Sequence, residues 1–375
     1  TKDLCPNLEA LAQNGTIPFV KDMVEYFTYT HRRNSIAGGI DEDTGEPTKG
    51  FESYVREDGR VSTPVDSNST NTSRMSHRNI CNIPRASSLY GDKMRSLFMC
   101  GSDYIQYGMD FSSLEAMIEG HYVIPYEGGA EMLVDLLAEK PNSIHCKNAR
   151  KLGISRDNAK SISYGLLYGD GVEKVQKMLD ISFEEAQRIY DEYWNAVPAL
   201  KALREDTERF WESTGKLFVT AGDGRRLMAR SKHSLLNLLF QSLGSLSMKY
   251  SYILACQELE KMDKLGNLFN DTKEHLIEKA NSMIIYHDEV QFAIPKSWYK
   301  IKTFETEEEG EAYKELHQLS TSVQFSKKLN KFYLNDEQIL TPILLKVVDD
   351  TIRVLKLKVQ LKIDYNCGRN WYECH

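Results

Sequence analysis

The sequence has no uncharged apolar run of about 18 residues, the length a membrane-spanning helix requires, so no membrane partner is expected. It has no C-x-x-C pair. Its seven cysteines (Cys5, Cys81, Cys100, Cys146, Cys256, Cys367, Cys374) are odd in number and scattered, which argues against a disulfide framework or a zinc site and for a reducing compartment. No basic stretch followed by an apolar one opens the chain, so no secretory leader is expected. The sequons at Asn68 and Asn71 then read as a Ser/Thr/Asn-rich loop. An initiator Met is lacking as well, which reads as an internal cut in a longer chain and weakens any inference from missing targeting signals. Positive charge is in deficit: 47 Lys and Arg against 54 Asp and Glu leave a net charge of −7. That weighs against nucleic-acid binding unless a local basic groove or bound divalent ions neutralise phosphates.

What is present is ordinary for a globular chain: 375 residues, 41% hydrophobic and 27% charged, enough for one large domain or a few subdomains. Residues 1–40 read as helical pieces. Ile17 to Arg33 carries an aromatic pattern (Phe19, Met23, Tyr26, Phe27, Tyr29) that stops at Ala37-Gly38-Gly39. Residues 41–80 have loop and hairpin composition, with strand-like runs at Phe51–Val55 and Gly59–Val61. Tyr104 to Asp110 predicts a strand and Ser113 to Glu119 the start of a helix. Arg156 to Leu167 predicts a helix with Ser155 as N-cap. Residues 183–213 predict long helix broken near Pro198, and Leu235 to Met262 a long buried helix. Met283–Tyr286 and Val290–Ile294 flank His287-Asp288-Glu289 and predict a β-hairpin with acidic residues at its tip. The stretch 303–335 reads as a solvated helix or insertion, and the alternation from Leu355 to Asp364 as a half-buried strand. The mixture is α+β.

Two aspartates carry the first chemical signal. Asp110 ends a strand and Asp288 sits at a hairpin tip, so both would be rigidly aimed. Carboxylates from adjacent strands can share a pair of Mg2+ ions roughly 3.5–4 Å apart, the arrangement that phosphoryl transfer to an activated hydroxyl requires. Glu289 is a candidate weak or outer ligand. An Asp after a strand is commonly just a turn residue, so the pair decides nothing alone.

The second signal is a stripe. Arg156, Lys160, Tyr164 and Tyr168 recur every four residues and share one helix face. Two cations and then two aromatics suit a triphosphate with a stacked base. Gly165 and Gly169 each follow a stripe tyrosine and allow close approach. The rival reading, a surface helix with i,i+4 pairs, is weakened because Arg156 and Lys160 repel each other. His145 lies upstream, near Lys147 and Arg150, as a further candidate phosphate contact.

Together these residues resemble the family A (Pol I-like) DNA polymerases. Arg156-x-x-x-Lys160-x-x-x-Tyr164-Gly165-x-x-Tyr168-Gly169 is similar to motif B of that family. Asp110-Phe111-Ser112-Ser113-Leu114-Glu115 resembles motif A, Tyr286-His287-Asp288-Glu289 resembles motif C, and the three stand in the family's order. Thr72-Ser73-Arg74 resembles the T-G-R segment, with Ser73 in place of Gly. Asn82-Ile83-Pro84-Arg85, Tyr90-Gly91 and Arg95-x-x-Phe98 resemble the segment before motif A. Leu236-Asn237-x-x-x-Gln241-Ser242 resembles the Asn/Gln helix, and Asn370-Trp371-x-x-Cys374-His375 is similar to the C-terminus of podovirus-type phage replicative polymerases. The resemblance covers roughly 15–295 and 355–375, leaving 296–355 unmatched.

The resemblance implies an α+β right hand: a palm built on an antiparallel sheet, helical fingers and a residual thumb. It divides the chain into the end of a thumb (1–40), the first part of the palm with motif A (41–120), fingers with motif B (121–235), and the second part of the palm with motif C (236–375). It implies template-directed DNA synthesis from dNTPs on a primer, by a two-metal mechanism in phage genome replication. Asp110 and Asp288, with the carbonyl of Phe111, would hold two Mg2+, for which Mn2+ can substitute. Arg156, Lys160 and His145 would bind the triphosphate, with Lys160 catalytic. Tyr164 would stack on the incoming nucleotide, and as a Tyr it implies weak rejection of dideoxynucleotides. Glu115 would block a 2′-hydroxyl, which selects dNTPs over the rNTPs of a single-subunit RNA polymerase. Tyr168 would guard the template base. Arg74, Gln241, Asn237 and His287 would contact primer and template. The expected partners are primer-template DNA, dNTPs and a processivity factor bound through a thumb region this sequence lacks; no proofreading exonuclease motif is apparent. Host cytoplasm is the expected location, with an organelle as the other. The remaining rival is a catalytically weak nucleic-acid-binding module.

Overall fold

The computed structural model describes residues 17–41, 43–267, 270–317, 323–326, 329–335 and 337–374, with residues 8, 11, 12 and 15 before them. Cys5, His375 and parts of 1–40 and 303–335 lie outside the described residues.

At the centre lies strand β1 (Tyr104–Phe111). It pairs antiparallel on one side with β3 (Glu289–Pro295), which pairs with β2 (Asn281–Tyr286), and on the other with β4 (Ile363–Gly368), giving the order β4-β1-β3-β2. The register sorts the side chains. Tyr107, Met109 and Phe111 share a face with Val290, Phe292, Ile363 and Tyr365, all apolar and buried. Two helices cover that face: α10 (Leu235–Lys261), whose Tyr252 stacks on Phe292, and α12 (Leu340–Leu355), whose Thr341 hydroxyl lies 2.8 Å from that of Tyr107. Burying each such side chain contributes roughly 1.5–3 kcal/mol.

The opposite face is polar: Gln106, Gly108 and Asp110 stand beside Glu289, Gln291 and Asp364. Its lower part is nevertheless buried, because the C-terminal segment folds over it. Cys374 donates to the Gln106 carbonyl at 3.2 Å, and its own carbonyl sits where a side chain at Gly108 would be, 2.4 Å from an ideal Cβ. Only glycine permits that approach.

Between β1 and α10 the chain forms a helical layer: α3 (Leu114–Val123), α4 (Gly129–Leu137), α5 (Ile144–Leu152), α6 (Arg156–Leu167), α7 (Val172–Leu179), α8 (Phe183–Ala196) and α9 (Pro198–Ser213). Ser155 caps α6 by accepting from the Asn158 N–H at 3.1 Å, and Pro198 restarts the chain as the first residue of α9. N-terminal to the sheet lie α1 (Pro18–Ala37), whose Phe19, Tyr26 and Tyr29 are exposed, and the short α2 (Gly91–Ser96).

Three expectations change. Phe51–Tyr54 is a 3-10 turn, and only Val55 and Val61 pair. Within 303–335, α11 (Glu307–Leu316) is helical as expected, but it packs on a three-stranded sheet of Ile301–Phe304, Lys331–Asn335 and Gln324–Ser326. Leu355 ends α12, and the ladder of β4 begins at Ile363. The alternation before it is real in burial, since Leu357, Val359 and Leu361 are inside, but those residues pair with no strand.

Trp371 fixes the C-terminal segment. It is buried, and its Nε1–H donates to Glu289 Oε1 at 2.5 Å. Trp371→Phe keeps most of the packing and removes the donor. A loss of about 1–3 kcal/mol in urea unfolding is expected; unchanged stability would show that this bond contributes nothing.

Candidate active site

Asp110 and Asp288 come together because β1 and β3 are neighbours. Asp110 stands opposite Glu289 in the ladder, and the Phe111 N–H donates to the Asp288 carbonyl at 3.3 Å. The hairpin between β2 and β3 turns through His287 and Asp288, with His287 left-handed at φ 56°. Both aspartates line one cavity of about 360 Å3. Phe111, Glu115, Glu119, His145, Ser163, Tyr164 and Tyr193 line it too, so α3, α5, α6 and α8 all face the carboxylate pair. Among the described residues, no three His, Cys, Asp or Glu side chains form a ready-made metal site.

The α6 stripe falls as its spacing requires. Ala159, Ile162, Ser163 and Leu166 are buried, while Lys160 and Tyr168 are exposed and Arg156 and Tyr164 half-buried. Lys160 Nζ lies 5.9 Å from the Tyr164 ring centre, and the His145 ring lies 5.9 Å from the same ring. His145 thus lines the cavity and lies close enough to both cations to feel their charge. Burial, and then the charges of Arg156 and Lys160, hold it below its ordinary pKa. His145 Nδ1 and Arg156 Nε are buried with no protein partner, as is Asn237 Oδ1 on α10. Buried polar atoms are normally satisfied, so these three are suited to a ligand.

Glu115 accepts a hydrogen bond from the Tyr168 hydroxyl at 2.8 Å, which ties α3 to the end of α6. Burial first, and then this bond, push the Tyr168 hydroxyl pKa up; Gln241 hydrogen-bonds it and Arg74 lies close enough to oppose the rise. Arg74 also faces His287, whose pKa is lowered by burial and by that cation. Arg74, Gln241, Tyr168 and His287 are therefore linked to one another, with Tyr168 reaching Glu115 and His287 beside Asp288.

Ser73, which stands where the T-G-R pattern has Gly, adopts the glycine-like φ of 60°. Its carbonyl accepts from Ser245 at 2.8 Å and from Lys249, both on α10, so the tight turn that presents Arg74 is kept without glycine. Gly169, at φ 92°, does allow a close approach, but by the chain itself: the His233 carbonyl is 2.4 Å from an ideal Cβ there.

A model described as DNA polymerase family A matches residues 6–330. The chain belongs to DNA polymerase family A. Curated relatives include the DNA-directed DNA polymerases of Enterobacteria phage T3 (29% identical, over 67% of this chain and 37% of the relative) and Escherichia phage T7 (30%, over 58% and 33%). The thermostable DNA polymerase I of Thermus aquaticus is 26% identical over 64% of this chain. The chain spans about a third of the length of the two phage polymerases it matches. Among solved structures, the polymerase domain of Pol1 from M. smegmatis in complex with DNA primer-template and dNTP shares the fold. Its TM-score is 0.69 at 19% identity, covering 98% of this chain and 56% of that one. No helix among the described residues is long and apolar enough to cross a membrane.

Within this family A fold, Glu289 is placed differently from the hairpin tip that its sequence position suggested. It is the first residue of β3 and buried. Its carboxylate accepts from Trp371 and, at 2.5 Å, from Gln291 Nε2, and it faces Arg95 Nη1 at 3.6 Å. The Arg95 guanidinium stacks over Trp371, 4.4 Å from the ring centre. Glu289 is thus held inward by a cation and two donors.

Two acidic residues escaped the sequence reading. Asp364 stands directly opposite Asp110 across the β4–β1 ladder and accepts from the Ser112 hydroxyl at 2.6 Å; only the long-range pairing reveals it. Glu119 lies one turn beyond Glu115 on α3 and lines the cavity. Its i,i+4 spacing from Glu115 was the available signal.

The environment of His145 gives a direct check. In an NMR titration its imidazole is expected to protonate below the ordinary 6.5, and Arg156→Gln or Lys160→Gln should each raise the midpoint. Midpoints that do not move with either substitution would place those cations elsewhere.

Proposed function

We propose that this chain is the polymerase portion of a template-directed DNA polymerase, which joins dNTPs to a primer 3′-hydroxyl with two bound divalent ions. The observation that carries this reading is the single cavity in which Asp110 and Asp288 face Glu115, His145 and Tyr164. Family membership and the likeness to phage polymerases support it.

The donor set fits Mg2+. Hard oxygens of one aspartate on a strand and one in the adjacent hairpin turn, with the Phe111 carbonyl, would leave positions for water and substrate phosphates, as Mg2+ prefers. Bound there, the ions would activate the primer hydroxyl and stabilise charge on the transferred phosphate and pyrophosphate. The residues supply the rest. Asp110 and Asp288 fix the site on a rigid sheet. Arg156, Lys160 and His145 meet the triphosphate, with Lys160 placed to offset charge on the leaving group. Tyr164, on the cavity wall, packs against the sugar and base. Glu115, held by Tyr168, presents a fixed carboxylate where a 2′-hydroxyl would enter, which favours dNTPs over rNTPs. Tyr168 closes the template side. Arg74, Gln241 and Asn237 read minor-groove acceptors common to every base pair, and His287 meets the primer end. Glu289 in this reading positions the hairpin through Arg95 and Trp371 rather than binding an ion.

The sheet and its flanking helices support the assignment of 41–120 and 236–375 to a palm, 121–235 to fingers and 1–40 to the end of a thumb. Replication of a phage genome, in host cytoplasm and with a processivity partner, is the role that the likeness to phages T3 and T7 favours.

Primer extension tests the reading. Asp288→Asn leaves the backbone turn in place and removes a charge. It should lower extension by several kcal/mol of transition-state stabilisation, about a thousandfold or more, while DNA binding stays within a few-fold. DNA binding without Mg2+-dependent extension by the wild type would favour a binding module instead.

A further inference from the structure

The proposed reaction makes no use of Glu119, yet this carboxyl sits in the same cavity as Asp110 and Asp288. It lies one helical turn past Glu115 and is 7% exposed. Its charge would be felt by Tyr164 on α6 and Tyr193 on α8; Ser163, His145 and Asn148 line the same cavity, and Glu115 is its neighbour on α3. None of these brings a positive charge: Tyr193 and Tyr164 are pushed further from ionisation by burial and by carboxylates, and His145 is held toward its neutral form. The triphosphate that would enter here is strongly anionic. A second carboxylate on this wall would repel both the nucleotide and Glu115.

We propose that Glu119 is a positioning residue of the nucleotide pocket, an uncharged acid that backs Glu115 and leaves it as the lone carboxylate on that wall when dNTP binds. This inference rests on the polymerase reading. Its geometry has a chemical counterpart: burial, and then the proximity of Glu115, push the Glu119 carboxyl up to about 8. At neutral pH the side chain is therefore a hydrogen-bond donor of low field. Above that range it ionises, the wall carries two charges, and nucleotide affinity falls. Stability follows the same group. Its folded pKa lies above its ordinary 4.5, so its contribution is fully present below that value and is lost as pH rises through about 8.

The test is the dependence of single-turnover primer extension on dATP concentration, between pH 7.5 and pH 9.5. It separates the nucleotide Kd from the rate of chemistry, which rises with pH for other reasons. In the wild type the Kd for dATP should weaken by about tenfold across this range. Glu119→Gln keeps the size and a donor, and should hold the Kd within twofold. Glu119→Met is a second uncharged variant that decides in the same way if the first does not fold. As a readout independent of catalysis, the wild-type thermal midpoint should fall from pH 5 to pH 8 by more than that of the uncharged variant. Parallel Kd profiles for wild type and variant, with extension intact, overturn this inference and leave the polymerase reading standing. No extension at any pH overturns both.

Discussion

The site depends on the register between β1 and β3. With Asp110 opposite Glu289, the strand end and the hairpin turn meet, and Asp288 lands beside Asp110. A slip of one residue would turn Asp110 onto the apolar face under α10 and α12 and expose Met109 in its place. The polar face could resist such a slip only weakly if it were solvated. It is instead closed from below. Arg95, Glu289 and Trp371 form a buried cation–carboxylate–indole cluster that fits only when Glu289 points away from the helices. Breaking one partner of such a cluster strands a buried charge, which is costly.

The same cluster resolves a charge problem. Asp364, Asp110 and Glu289 stand in a row across three strands, and like charges directly opposite are unfavourable. Arg95 offsets one end and the Ser112 hydroxyl engages the other, and Asp110 at the centre lines the cavity. A cation bound at Asp110 and Asp288 would add to this compensation. The net charge of −7 is therefore compatible with a phosphate-handling site.

What could be read from the sequence was local. The α6 stripe, its Ser155 cap, the Pro198 break and the His287-Asp288 turn follow from spacing and turn chemistry within a few residues. The family resemblance then supplied the order of the parts, and its α+β fold is the one observed. What escaped depended on pairing across the chain. Glu289 reads as a hairpin-tip acid until Arg95 and Trp371 are seen around it. Asp364 gains meaning only from β4 lying beside β1. The sheet of 301–304, 324–326 and 331–335 lies in the stretch where no motif could be matched, although the family model extends to residue 330, and its acidic helix hid the short strands on either side. Helix α12 was missed in the same segment, although its apolar positions recur at helical spacing.

On the proposed function, Asp110 and Asp288 hold a pair of divalent ions against a nucleotide gripped by α6. The most direct measurement is a crystal structure of the chain with primer-template, a non-hydrolysable dNTP and Mn2+, read by anomalous scattering. Two peaks roughly 3.5–4 Å apart between Asp110 and Asp288 are expected, with the triphosphate against Arg156, Lys160 and His145. Ions bound away from these aspartates, or a nucleotide seated off the α6 face, would contradict the account.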